Sequence, residues 1–240
     1  MTAEGWPSAP IPVCNSPRVC VILRRMESPA SLFGGPIRLL FEDPRAFILL
    51  IIPLLYSIII HEVAHGWVAD KMGDSTARWL GRLTLDPRRH FDPVGTTMLF
   101  LFGFGWAKPV PVNFNNLRPA RRGLIFVSAA GIAANVLLAL AAAVVYRLVQ
   151  PGVMSPLSEV LRVTFRINIV LASFNLIPIP PLDGSRILMG FSTRRFQYSL
   201  ARLEPYGFFI IIALLWTGIL NPFIGFFAWL IEGFINLLVP

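Results

Sequence analysis

The sequence predicts an all-α integral membrane protein, with a core of three helices and a re-entrant segment followed by two C-terminal membrane helices. Of its 240 residues, 55% are hydrophobic and only 14% are charged, whereas soluble domains carry about 25% charged residues. Several apolar runs are long enough, as helices, to cross a hydrocarbon layer of roughly 30 Å. This composition excludes a disordered chain, and the 2 cysteines are too few for a disulfide scaffold.

The positive charge lies between the apolar runs. The formal net charge is +8, and the basic side chains occupy positions where they would meet lipid headgroups and set the topology. A nucleic-acid-binding protein would instead carry a solvated basic face interleaved with aromatic residues. We therefore expect the lipid bilayer as a partner and no nucleic acid.

Three parts of the chain are predicted. Residues 1–45 form an N-terminal extension, in which residues 31–41 have the composition of a segment lying in the membrane interface. Residues 46–190 form the membrane core, and residues 191–240 form a C-terminal helical hairpin.

The apolar runs place the helices. They are predicted over Phe47–Ala69, Leu124–Val149, about Val160–Ile179, Tyr206–Leu220 and Pro222–Val239. The remaining run, Val94–Trp106, has only about 13 residues, which is too short to cross a bilayer. We expect this run to enter the membrane and return to the same side.

Five of the ionisable residues inside or at the border of these apolar runs stand out. Charges at membrane depth are costly and usually functional. The residues are His61, Glu62, His65, Asp183 and Glu232.

The first of these runs contains the motif H-E-x-x-H, from His61 to His65. On a helix, side chains four positions apart lie on one face about 6 Å apart, so both imidazoles can bind one Zn²⁺. Glu62 projects away from that face and can still reach a water at the metal, which is the position of a general base. Separate polar partners for three such side chains are hard to find in lipid. The motif therefore predicts a metal site.

A catalytic zinc needs a third protein ligand and an open coordination position. The candidates are His90 and the carboxylates. His90 lies in an Arg-rich polar loop and is expected to be a solvated or interfacial side chain. Asp183 follows a helix broken by Pro178, Pro180 and Pro181, and unwound backbone at membrane depth is tolerated only beside protein or a water-filled cavity. We expect Asp183 to be the third ligand.

Together these motifs resemble those of the site-2 protease family of intramembrane zinc metalloproteases, in its compact bacterial form without an evident PDZ or CBS module. The second motif, N-x-x-P-x-x-P-L-D-G, is complete from Asn175 to Gly184, and the resemblance covers roughly residues 45–190. It implies that His61, His65 and Asp183 bind one zinc per chain, that Glu62 is the catalytic base and that the substrates are transmembrane proteins.

The chain departs from the family in one helix, where G-P-x-x-N is replaced by Gly131-Ile132-Ala133-Ala134-Asn135. Asn135 could donate to a substrate carbonyl or a developing oxyanion, or it could form a hydrogen bond between helices. The same two alternatives hold for Asn175.

Both ligand-bearing helix ends must lie on one side of the membrane, which requires an odd number of crossings between them. One crossing, Leu124–Val149, satisfies this requirement only if Val94–Trp106 does not cross. The metal side carries more basic residues than the other side, so we expect the zinc near the cytoplasmic face of a bacterial cell membrane and the N-terminus outside.

The predicted function is zinc-dependent hydrolysis of peptide bonds in or near transmembrane segments, as part of regulated intramembrane proteolysis. The resemblance suggests an anti-sigma factor or another membrane-tethered regulator as the substrate. The segment from Lys108 to Asn113 could pair with an extended substrate or be a plain interfacial loop. Two other functions are considered: a metal-ion transporter, which would leave Glu62 without a role, and a scaffold with a structural zinc, which would normally have four Cys or His ligands.

Overall fold

The computed structural model describes residues 35–102, 105–152 and 155–239. The helices in these ranges are α1 Gly35–Glu42, α2 Pro44–Lys71, α3 Thr76–Trp79, α4 Pro87–His90, α5 Pro93–Phe102, α6 Ala120–Val149, α7 Pro156–Asn175, α8 Asp183–Phe191, α9 Arg194–Leu203, α10 Gly207–Trp216 and α11 Asn221–Leu238. Short 3₁₀ turns occupy Phe114–Asn116 and Glu204–Tyr206. The described ranges contain no strand, so the predicted all-α class is confirmed. The predicted interfacial segment lies partly outside the described residues, and its last part belongs to α1.

Four helical stretches are long and apolar enough to cross a membrane: Pro44–Lys71, Ala120–Val149, Arg194–Trp216 and Asn221–Leu238. The first begins just before its predicted start, with proline in its first turn and the Asp43 carboxylate accepting a hydrogen bond from the Ala46 N–H at 3.1 Å. The third consists of α9, a 3₁₀ turn and α10, and α10 begins at Gly207, close to the predicted start at Tyr206. Its first part, α9, contains Arg194, Arg195 and Arg202 together with other polar residues and therefore lacks a continuous apolar run.

The third core helix, α7, is more polar than these four stretches and is not among them, although the sequence predicted a membrane helix there. It contains Glu159, Arg162 and Arg166, and the first two are 5% and 1% exposed. These side chains are tolerated because α2, α6 and α11 surround the helix. Arg166 donates to the Glu232 carboxylate on α11 at 2.9 Å. The helix ends at Asn175, earlier than predicted, since the prolines that follow disfavour helical backbone.

Helices α2, α6 and α7 form the bundle that positions the site. Small residues on α6 allow close approach of its neighbours: Ala139, Ala142 and Ala143 are all almost fully buried. They pack against Phe165 of α7 and Ile235 of α11 in one hydrophobic cluster. The face of α6 that carries these alanines also carries the polar residues of the site.

The short apolar run around α5 forms a hairpin whose two ends are adjacent, the arrangement that a re-entrant segment requires. The Lys108 N–H donates to the His90 carbonyl at 2.8 Å, which closes the base of the hairpin. Gly105 and Trp106 lie directly against Gly95, near the start of α5. The chain therefore leaves the hairpin where it entered, and one crossing, α6, separates α2 from α7.

Candidate metal centre

Helix α2 presents two imidazoles toward α6. His61 and His65 are one turn apart on its buried face, and they are only 7% and 9% exposed. The helix is continuous through this region. The predicted pairing of the two side chains on one face is therefore present in the fold.

Asp183 lies beside the same two histidines and is contributed by the start of α8. It is the first residue of α8, and a tight turn precedes it, in which the Leu182 N–H donates to the Ile179 carbonyl at 2.9 Å. Gly184 makes this turn feasible, because a Cβ there would lie 2.3 Å from the Leu176 carbonyl oxygen. The break in the chain between α7 and α8 thus places Asp183 next to His61 and His65.

The three side chains form a nearly equilateral triangle of ligand atoms. Asp183 Oδ2 lies 3.1 Å from His61 Nε2 and 3.2 Å from His65 Nε2, and the two Nε2 atoms are 3.0 Å apart. Ligand atoms around a tetrahedral zinc at about 2.0–2.1 Å would be separated by about 3.3 Å. Asp183 Oδ2 is also buried without a hydrogen-bond partner among the described residues. The donor set and its spacing fit one zinc ion.

The other nitrogen of each imidazole contacts an oxygen that only accepts hydrogen bonds. His61 Nδ1 lies 2.6 Å from Asn135 Oδ1, and His65 Nδ1 lies 2.7 Å from the Val127 carbonyl oxygen. Both Nδ1 atoms therefore carry the proton. In the neutral imidazole a proton on Nδ1 leaves the lone pair on Nε2, which is the form that binds a metal.

Gly131 provides the space for this arrangement. A Cβ at that position would lie 2.4 Å from His65 Nε2 and 2.6 Å from His61 Nε2. It lies one turn before Asn135 on α6, so the same helix face makes room for both imidazoles and holds that of His61. The G-x-x-x-N spacing was the sequence signal for both features.

Burial and the two neighbouring imidazoles act in opposite directions on Asp183. Burial would raise the pKa of this carboxyl, but the interactions with His61 and His65 outweigh it and hold the pKa well below its usual range. The side chain is therefore the carboxylate, which is the form that ligates metals.

Glu62 lies outside the triangle and is half-buried. Its Oε2 accepts a hydrogen bond from the Val110 N–H at 3.0 Å. Val110 is flanked by Pro109 and Pro111, which have no N–H, so this group is the one backbone donor between residues 109 and 111. The predicted pairing of this segment with a substrate strand would have to use other backbone groups.

The segment carrying Val110 is held at both sides. Arg82 donates to the carbonyls of Lys108 and Pro109 at 2.8 and 3.2 Å. The fully buried Asp74 accepts from the Asn113 N–H at 2.6 Å. Glu62 is thus oriented by backbone that polar side chains fix in place.

Asp74 is the anchor of that backbone. It also accepts from the Thr76 hydroxyl and from the Asn116 amide, at 2.5 and 2.9 Å. Burial opposes ionisation of this carboxyl, but its hydrogen bonds prevail and lower its pKa.

The remaining sequence candidates lie outside the triangle. Asn135 is fully buried; its oxygen contacts His61, and its amide nitrogen donates to Asn168 Oδ1 at 3.0 Å. Asn175 donates to the Leu171 carbonyl of its own helix at 3.0 Å. His90 is buried rather than solvated, since its ring nitrogen contacts the Thr84 carbonyl inside the folded loop.

Comparison with known proteins was consistent with this geometry. The model of a family described as peptidase family M50 matches residues 49–153 and 150–218. The chain is 38% identical over 175 residues to the Bacillus subtilis protein named "Putative zinc metalloprotease YwhC", covering 70% of this chain and 80% of that protein. It is 31% identical over 193 residues to "Putative zinc metalloprotease Rip2" of Mycobacterium tuberculosis, covering 78% and 74%.

An archaeal protein is also similar. "Putative zinc metalloprotease MJ0611" of Methanocaldococcus jannaschii is 32% identical over 160 residues, which cover 63% of this chain and 77% of that protein. No solved structure matches the chain.

Proposed function

Because this chain belongs to peptidase family M50 and is a zinc metalloprotease with several membrane-spanning helices, we propose that it cleaves peptide bonds in or near the transmembrane segments of other membrane proteins. The observation that carries the proposal is the triangle of His61, His65 and Asp183 on helices of the membrane bundle. In the proposal these three side chains bind the single zinc, and Glu62 is the general base.

The ligands are suited to this role by their buried, fixed geometry. Zinc held there would polarise the scissile carbonyl and make a nearby water more acidic. Glu62 follows His61 directly in the helix, so its carboxylate lies beside the metal ligands without competing for the same position. It takes the proton of the attacking water and then transfers it to the leaving nitrogen.

Glu62 is held in one orientation by the Val110 N–H. With one carboxylate oxygen bonded to that donor, the other oxygen is available for proton transfer. This arrangement supports a catalytic function over a structural zinc, which would need no adjacent base.

A helical substrate hides its carbonyl groups in hydrogen bonds, so it must unwind before it is cleaved. We expect helix-weakening residues near the cleavage site. The proposed substrates are membrane-tethered regulators, such as an anti-sigma factor, and the process is regulated intramembrane proteolysis. The motif resemblance supports this substrate class.

The proposed location is the cell membrane of a bacterium, with the zinc nearer the cytoplasmic face. The excess of basic residues on the metal side supports this orientation. We also propose that the chain is divided as predicted, into an extension over 1–45, a catalytic core over 46–190 and a C-terminal hairpin over 191–240.

The proposal is tested with the variant Glu62→Gln and a labelled membrane-spanning peptide. The purified variant should retain one zinc per chain and lose cleavage by about 10²–10⁴-fold. Glu204→Gln makes the same chemical change at an exposed carboxylate and should cleave as wild type does. Full activity of Glu62→Gln, or fragments that persist with a zinc chelator, would contradict the proposal.

A further inference from the structure

His61 lies at one end of a chain of buried side-chain hydrogen bonds that joins three helices. Asn135 of α6, Asn168 of α7 and Ser57 of α2 are 0%, 0% and 2% exposed. Asn135 Nδ2 donates to Asn168 Oδ1 at 3.0 Å, and Asn168 Nδ2 lies 2.8 Å from both Ser57 Oγ and the Thr164 carbonyl oxygen.

The direction of every bond in this chain follows from the Thr164 carbonyl. A backbone carbonyl only accepts hydrogen bonds, so the NH₂ group of Asn168 must face it. The oxygen of Asn168 then faces Asn135 and requires the NH₂ group of Asn135 as its donor. The oxygen of Asn135 is left facing His61, and it requires a proton on His61 Nδ1.

The opposite orientation of Asn135 would disable His61 as a ligand. With its NH₂ group toward Nδ1, that nitrogen would have to accept, and the imidazole proton would move to Nε2. A protonated Nε2 has no lone pair for a metal. Asn135 alone does not determine the choice, because its amide has similar shape in both orientations.

Ser57 completes the hydrogen bonding of the Asn168 NH₂ group. Its hydroxyl receives the second hydrogen of the Asn168 NH₂ group, so both hydrogens have acceptors. Ser57 lies one turn before His61 on α2. The chain of hydrogen bonds therefore begins and ends on α2, the helix that carries the metal-binding motif.

We propose that Asn168 is a positioning residue for the metal centre: by fixing the amide of Asn135, it keeps the proton of His61 on Nδ1 and the lone pair of Nε2 toward the metal. The inference rests on the proposed zinc site but not on the proposed cleavage of membrane proteins. It assigns a function to a buried asparagine that lies in neither sequence motif.

The first test needs no variant. The chain has three histidines, so ¹⁵N-labelled histidine in the metal-free protein gives few signals, which single His→Ala variants assign. The chemical shifts should show His61 protonated on Nδ1. A proton on Nε2 of His61 in the folded metal-free protein would overturn the inference.

The second test compares zinc dissociation constants, measured by competition with a chromophoric chelator. Asn168→Leu should weaken zinc binding about 10–100-fold, as losses of residues behind metal ligands do. The control is Ser173→Ala, which removes a buried side-chain hydrogen bond to the Ile169 carbonyl in the same helix. That variant should bind zinc as wild type does.

A double variant separates positioning from packing. In Asn135→Asp both side-chain oxygens accept, so His61 Nδ1 meets an acceptor in either orientation. Adding Asn168→Leu to Asn135→Asp should therefore change zinc affinity much less than it does in the wild-type background. An equal or greater loss in the double variant, or wild-type affinity in Asn168→Leu, would overturn the inference.

These outcomes are independent of cleavage. Glu62→Gln should have the same zinc affinity and His61 tautomer as wild type. A chain that shows the Asn168 effect but cleaves no membrane peptide would refute the proposed function and leave the positioning role intact.

Discussion

His61 and His65 present the same atom to the metal, but different parts of the molecule hold them. His65 contacts a backbone carbonyl of α6, at Val127, whereas His61 contacts a side chain of the same helix, at Asn135. A backbone acceptor is present whatever residue occupies its position. A side-chain acceptor depends on its own identity and on the groups that orient it. The two halves of one metal site should therefore differ in their sensitivity to mutation.

The largest effect is expected when Asp183, the carboxylate that lies close to both histidines, is removed. Asp183→Ala leaves two imidazoles without the carboxylate that completes the triangle. The purified variant should contain almost no zinc, measured by elemental analysis, and should have no activity. Glu204→Gln serves again as the exposed control, and a full zinc content in Asp183→Ala would remove Asp183 from the ligand set.

A substitution at Gly131 tests whether both histidines need the space that this glycine leaves. The new methyl group of Gly131→Ala would meet both Nε2 atoms, so it should lower zinc affinity by about 100-fold or more. Gly225→Ala is the matched control, because a Cβ there has no neighbour within 4 Å. If Gly131→Ala bound zinc as tightly as Gly225→Ala, the helices would have to be farther apart than described.

The difference between side-chain support of His61 and backbone support of His65 is tested directly by replacing Asn135 and Val127 with alanine. Val127→Ala retains the carbonyl that accepts from His65, so its zinc dissociation constant should stay within about threefold of wild type. Asn135→Ala removes the acceptor of His61 and should weaken binding about 10–100-fold. Equal losses in the two variants would show that the distinction between backbone and side-chain support is wrong.

A smaller effect on activity is expected when the metal ligands are unchanged and only the orientation of Glu62 is disturbed. Arg82→Ala releases the carbonyls of Lys108 and Pro109 and so loosens the backbone that orients Glu62. We expect kcat to fall about tenfold while zinc content is unchanged. Arg78→Ala removes an arginine whose side chain is 60% exposed, and its kcat should equal that of wild type.

The smallest effect concerns stability at acid pH. The pKa of Asp74 is lowered in the folded protein, so its contribution to the free energy of unfolding is complete above the unfolded pKa of about 3.9 and is lost as pH falls through the folded value. Asp74→Asn should reduce stability near neutral pH by about 1–3 kcal/mol. It should also show a weaker loss of Tm between pH 5 and pH 3 than wild type; parallel curves would contradict this role.

Much of this site could be predicted from the sequence because most of its functional residues lie in short motifs. The spacing of His61 and His65 fixes them on one helix face, and the prolines before Asp183 break the helix where a ligand must turn inward. The length of Val94–Trp106 and the number of crossings that the metal site requires both predicted a hairpin there. Most of these inferences depend on residues close together in the chain.

What the sequence did not reveal depends on contacts between distant segments. The charges of α7 gave no sign that α2, α6 and α11 would enclose them, and His90 in an Arg-rich loop gave no sign of burial. The acceptor of His65 is a backbone atom, which no residue type could indicate. Asn168 belongs to no motif, and only the packing of α7 against α6 brings it to Asn135.

The central claim is that one zinc is bound by two imidazoles and one carboxylate with a position left open. X-ray absorption at the zinc edge of the purified protein tests it most directly. We predict one zinc per chain with two imidazole nitrogens and only oxygen as further ligands, at about 2.0–2.2 Å. Sulfur in the coordination shell, or an unchanged spectrum in His61→Ala, would contradict the account.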